Sequence, residues 1–160
     1  MKPSLYFAAP LFSQAELEFN ATIAAQLQKH FAVYLPQRDG GLFADLVGRE
    51  NQSVETASAF IFRKDVDAIN DADVLLVVLD GRVVDEGAAF EVGYAYAKGK
   101  VCVGLQTDPR RLVPFGNNPM INGPLIQIFC SVEQLLNWSE SYAPIVTGAQ
   151  PNTNDVGEKQ

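Results

Sequence analysis

The sequence predicts a doubly wound α/β fold: a five-stranded parallel sheet with helices on both faces, of the flavodoxin or Rossmann kind. Three observations predict it. Short apolar runs alternate with helical patterns along the whole chain. The run Asp73 to Leu79 is continuously apolar after its first residue, as a central parallel strand buried on both faces requires. Helix start and stop signals fall between the runs rather than inside them.

The elements follow in order. Ser4 to Ala9 is the first strand. Ser13 with Glu16 forms a capping box that opens a helix running to about Lys29, with Leu17, Ala21, Ala24, Ala25 and Leu27 on its apolar side. Phe31 to Leu35 is the second strand, closed by Pro36, and Gln37 to Gly48 reads as a loop around the Arg38-Asp39-Gly40-Gly41 turn signal. A long helix spans Ser53 to about Asn70, and the central strand follows it. The next helix, from about Asp85 to Lys98, stops at Gly99, a favourable C′ residue. Val101 to Leu105 is the fourth strand, Asp108 to Gly123 a connection rich in Pro, Asn and Gly, and Leu125 to Phe129 the fifth strand. Ser131 and Gln134 make a second capping box for a last helix to about Ser141. Residues 1–143 therefore read as one domain, and the polar, turn-rich residues 144–160 as a mobile tail.

Composition narrows the function. A length of 160 residues fits one domain, and 48% hydrophobic with 19% charged residues supports a real core. The net charge of −7, with no block of Lys and Arg, argues against a nucleic acid polymer as partner. No apolar run reaches about 18 residues and the N-terminus has no apolar leader, so a cytoplasmic protein without membrane contact is expected. Cys102 and Cys130 both sit in apolar runs and read as buried free thiols. No metal-ligand spacing is present, the single histidine, His30, lies at a helix end, and neither metal nor cofactor is expected.

In a doubly wound fold the ligand crevice lies beyond the carboxyl ends of the strands. Asp80 and Asp85 follow the third strand, Glu91 comes early in the next helix, and Asp65 sits in the helix before. Glu91 is the unusual one. Gly87, Glu91 and Ala95 share a helix face at i, i+4 spacing, and two helix-interior glycines cost about 1 kcal/mol each relative to alanine. Small neighbours suit a carboxylate that a ligand approaches closely. They equally suit tight helix–sheet packing, with Glu91 turned to water.

The segment Asp85-Glu86-Gly87-Ala88-Ala89-Phe90-Glu91-Val92-Gly93-Tyr94-Ala95 resembles the nucleophile motif of nucleoside 2-deoxyribosyltransferases. Further segments resemble the family in the same order: Leu5 to Phe12, Pro36-Gln37-Arg38-Asp39, Lys64-Asp65 with Asn70-Asp71-Ala72-Asp73, and Asn118-Pro119-Met120. The resemblance covers roughly residues 4 to 130. It implies that Glu91 attacks C1′ of a 2′-deoxynucleoside to form a covalent deoxyribosyl-enzyme, from which a second base takes the sugar with retention. A carboxylate suits this role because it is anionic near neutral pH and stabilises the charge developing on the sugar.

The resemblance also implies the remaining roles. Tyr6 holds one oxygen of Glu91, unless it is simply a packed strand residue. Asp65 or Asp85, or a pair sharing one proton, protonates the leaving base; a solvated helix position and a plain N-cap are their bland counterparts. Gln37 reads the base edge with an amide that both donates and accepts. Phe12 either stacks on the base or packs in the core. Asn118 and Met120 reach the sugar from a neighbouring subunit, which implies a dimer-based homo-oligomer, up to a hexamer, with shared active sites. The implied partners are small 2′-deoxynucleosides and free nucleobases, in nucleotide salvage.

Two competing functions are weighed against this one: an N-glycoside hydrolase of 2′-deoxynucleoside 5′-monophosphates and a non-catalytic nucleoside-binding module. A related branch cradles phosphate with a first loop rich in Gly, Ser and Arg. Here that loop, Ala8-Ala9-Pro10-Leu11-Phe12, has no cation, and Pro10 removes a backbone N–H, so unphosphorylated nucleosides are favoured.

Overall fold

A computed structural model describes residues 1–110 and 117–143. The expected tail, 144–160, and the middle of the expected Asp108–Gly123 connection lie outside the described residues. The elements are β1 (Ser4–Ala8), α1 (Gln14–Leu27), β2 (Ala32–Tyr34), α2 (Phe43–Gly48), α3 (Val54–Asp71), β3 (Val74–Val78), α4 (Glu86–Ala97), β4 (Val101–Leu105), α5 (Pro119–Asn122), β5 (Leu125–Phe129) and α6 (Val132–Ser141). All strand pairs are parallel, in the order β2-β1-β3-β4-β5. This is the five-stranded doubly wound sheet the sequence predicts, with its topological switch between β1 and β3.

The alternation of side chains along each strand divides the core in two. Leu5, Phe7, Val74, Leu76 and Val78 face α1 and α6, where Ile23, Leu27, Phe31 and Leu135 close over them. Tyr6, Ala8, Leu75 and Val77 face α3 and α4, against Ile69, Ala88, Val92 and Ala95. Every residue of β3 is buried, at about 1.5–3 kcal/mol of hydrophobic stabilisation per large side chain. On β4, a Cβ at Gly104 would stand 3.0 Å from Leu79 and 3.1 Å from Leu125, so the sheet surface is flush there only because the residue is glycine.

Local signals formed the helix ends. The Ser13–Glu16 capping box is complete, the Ser131 hydroxyl accepts from the Gln134 amide, and Gly99 adopts φ 69° beyond α4. Several expectations need correction. Residues 37–48 are not one loop: Pro36–Gly40 makes a single π-helical turn and Phe43–Gly48 is α2. The Asp108–Gly123 connection contains the short helix α5, opened by the Asn118 side chain on the Met120 amide. The second capping box is only half made, because Gln134 Oε1 accepts from Cys130 N at 2.9 Å instead of from the cap residue. On α1, Ala21 and Ala25 are exposed, and Asn20 and Ile23 take the inward places. Cys102 is buried, but Cys130 is exposed just beyond the edge strand β5.

Candidate active site

Chain-distant segments converge at the carboxyl end of the sheet, beside the β1–β3 switch. The segment after β1 brings Ala9, Leu11 and Phe12, that after β2 brings Pro36 and Gln37, and α3 brings Ile61 and Asp65. The start of α4 brings Asp85, Gly87, Ala88 and Glu91. Together they line a cavity of about 280 Å³. A second cavity of about 350 Å³ opens beside it, between α3 and α4, and shares Phe43, Ile61, Asp65, Gly87 and Glu91 with the first. Among the described lining residues of both there is no Lys, Arg or His.

Glu91 lies at the junction of the two cavities. The Tyr6 hydroxyl, buried in β1, donates to Glu91 Oε1 at 2.5 Å, and Oε2 has no hydrogen-bond partner among the described residues. The glycines around it do not serve tight packing. A Cβ at Gly93 would meet nothing within 4 Å, and at Gly87 only Asp85 Oδ1, at 3.1 Å. Gly87 borders both cavities, so it leaves room beside the carboxylate rather than between helix and sheet. Of the two readings of Glu91, the geometry has it facing the cavity.

Burial pushes the Glu91 carboxyl up to about 8. The Tyr6 hydrogen bond opposes this, and the charges of Asp65 and Asp85 add to it. Burial, with the charges of Asp65 and Asp85 adding to it, therefore favours the protonated form of Glu91 near neutral pH. Asp65 is raised as well, by burial, against hydrogen bonding from Tyr34 and the charge of Lys64. The Tyr34 hydroxyl donates to Asp65 Oδ1 at 3.1 Å. Asp85 is the N-cap of α4, accepting from Ala88 N at 2.9 Å, and also borders the first cavity, so its structural and site positions coincide.

The other expected residues are placed as follows. Gln37 lines the first cavity with its amide already engaged: Nε2 donates to Leu17 O at 2.8 Å and Oε1 accepts from Asn20 Nδ2 at 3.1 Å. One N–H and one lone pair remain for a ligand. Phe12 is 80% exposed on the cavity rim, which removes the core alternative for it. Asn118 and Met120 line neither cavity. Asn118 instead borders a separate pocket of about 210 Å³ near the ends of β3 and β4, and Met120 is exposed. Asp80, a strand-end carboxylate, is structural: it accepts from Thr107 N, Thr107 Oγ1 and Asp108 N and ties the β3 and β4 exits together.

The sequence reading missed Tyr34, Asn20, Ile61 and Phe43. Tyr34 is aligned with Tyr6 across the β1–β2 ladder, and Asn20 is a buried polar residue on a helix face otherwise closed by Ile23 and Leu27. An asparagine on an apolar helix face was the one available signal.

Fold and site together define an α/β protein with a cavity of clustered carboxylates at the carboxyl edge of a doubly wound sheet. The chain belongs to the nucleoside 2-deoxyribosyltransferase family: the model described as "Nucleoside 2-deoxyribosyltransferase" matches residues 5–150, past residue 143 and into the segment read as a tail. A conserved protein from Enterococcus faecalis V583 has a similar structure, with TM-score 0.75 and 29% identity over 88% of this chain and 99% of that one. The 2-deoxyribosyltransferase of Bacillus psychrosaccharolyticus shares the fold, with TM-score 0.70 and 24% identity over 84% of this chain and 90% of that one. An uncharacterised protein of Ureaplasma parvum serovar 3 is 27% identical over 101 residues, 62% of this chain, and the match spans only 63% of that relative's length. Among the described residues no helix is long and apolar enough to cross a membrane.

Proposed function

We propose that the protein transfers 2-deoxyribose between nucleobases through a covalent deoxyribosyl–Glu91 intermediate, with retention at C1′. The observation that carries this is Glu91 itself: half-buried at a cavity junction, held by Tyr6 through Oε1, with Oε2 left to react. As Oε2 bonds to C1′, the bond from C1′ to the base nitrogen breaks and its electron pair goes to the base. The proton shared by Glu91 and Asp65 moves to that base, which leaves Glu91 anionic for attack. An incoming base then attacks C1′ from the face opposite Glu91, the C1′–Oε2 bond breaks with its electron pair returning to Glu91, and the proton of the incoming base passes to the carboxylates. Gln37 contributes the base contact through its unused N–H and lone pair, and Phe12 covers the base from the rim.

The substrate is unphosphorylated, because both cavities lack a cation among their described lining residues and hold carboxylates that would repel a phosphate. Asn118 and Met120 act from a second copy of the chain, since neither borders its own Glu91 cavities. The exposed, mutually packed rings of Phe62 and Phe90, with Tyr94 beyond them, support such an assembly.

Incubation with 2′-deoxyinosine and free adenine or cytosine is expected to give the exchanged nucleoside, with a 5′-monophosphate failing to compete. Deoxyribose and hypoxanthine alone would replace transferase with hydrolase. Neither product, or exchange retained in a folded Glu91→Ala variant, would overturn the proposal.

A further inference from the structure

Tyr34 has no part in the reaction just described, yet its hydroxyl ends on one of the carboxylates that the cavity gathers. It is in register with Tyr6 across β1 and β2, and the two rings stack with centroids 5.5 Å and planes 15° apart. Each hydroxyl then engages a different acid: Tyr6 donates to Glu91 Oε1 at 2.5 Å and Tyr34 to Asp65 Oδ1 at 3.1 Å. The backbone leaves room for the second bond at one place. A Cβ on Gly40 would stand 3.0 Å from Asp65 Oδ1 and 3.4 Å from the Tyr34 hydroxyl. Gly40 is buried and its φ is not positive, so the position requires glycine for space and not for backbone freedom.

We propose that Tyr34, in the space left by Gly40, is a positioning residue for deoxyribosyl transfer: it anchors Asp65 by Oδ1, so that Oδ2 is the oxygen that handles the proton of the base. The proposal rests on the reaction proposed above. Its physical basis is that a terminal carboxyl torsion is broad and roughly two-fold, so an unanchored aspartate presents either oxygen and an undefined proton position. A donor fixed on Oδ1 makes Oδ2 the basic site, and Oδ2 has no partner among the described residues. Asp65 borders both cavities. The charged and titratable groups around Asp65 and its anchor are Tyr34 on β2, Tyr6 on β1, Glu91 on α4, Asp85 at the cap of α4 in the shared cavity, Lys64 on its own helix and, beside Tyr34, Asp39 in the turn after β2. Of these, Tyr34 and Lys64 favour the anion of Asp65 against its burial.

Tyr34→Phe keeps the ring stack and removes only the donor. In the full-length protein, labelled with ¹³C-aspartate and assigned with Asp65→Asn, the Asp65 carboxyl is expected to titrate about one pH unit higher in Tyr34→Phe, from the loss of a hydrogen bond to a charged group. The alkaline limb of the exchange rate should move the same way, and kcat should fall about tenfold while KM changes less. Gly40→Ala, which intrudes between the same two atoms, should also disturb the Asp65 titration. A purely structural role would lower the melting temperature and leave the titration and the limb in place; that result overturns the proposal. If the wild type exchanged no bases, the reaction would fail, and the Asp65 titration would still decide whether Tyr34 anchors it.

Discussion

Replacing Glu91 by Gln should make the protein more stable at pH 8 and change it little at pH 5. The carboxyl goes from an ordinary 4.5 to about 8 on folding. Below 4.5 both folded and unfolded chains hold the proton, so it contributes nothing to the pH dependence of stability. Between 4.5 and about 8 only the folded chain keeps it, unfolding releases it, and stability falls as pH rises. At 1.36 kcal/mol per pH unit, that interval sets a ceiling of about 5 kcal/mol. The cavity opens to solvent, and screening reduces the expected loss to about 2–3 kcal/mol. Glutamine mimics the protonated side chain and titrates nowhere in this range. Urea denaturation at pH 5, 6, 7 and 8 should therefore give two curves of stability against pH that meet near pH 5 and separate by about 2–3 kcal/mol at pH 8, or roughly 5–10 °C in Tm. Parallel curves would refute the raised carboxyl, and with it the shared proton in the proposed mechanism.

Tyr6→Phe removes the donor on Glu91 Oε1 while keeping the buried ring; kcat for base exchange should drop about 10–100-fold with far-ultraviolet circular dichroism unchanged. Asp80→Ala deletes three hydrogen bonds that tie the exits of β3 and β4; chemical denaturation should show a loss of about 2–3 kcal/mol.

Much of this protein is legible along the chain because the relevant physics is local. The unbroken apolar run of β3 announced a strand buried on both faces, and hydroxyl caps such as Ser13 and the glycine at 99 marked where helices begin and end. The short helices α2 and α5 were hidden in turn-rich sequence, since each is held by its surroundings more than by its own propensity. Gly87 and Gly93 beside Glu91 could be read either way, because a glycine declares a need for space without saying what fills it.

What the sequence by itself determined is therefore the fold class and the identities of the acids, Asp65, Asp85 and Glu91, on segments bound for the carboxyl edge of the sheet. Only the tertiary structure decided how those acids meet. Register sets Tyr34 beside Tyr6, and helix packing brings α3 against α4, so that two tyrosines from neighbouring strands hold two carboxylates from neighbouring helices. Burial among like charges then sets the proton on Glu91. Distances between segments separated by tens of residues, and the solvent they exclude, fix that energy, and neither quantity is a property of any local stretch of chain.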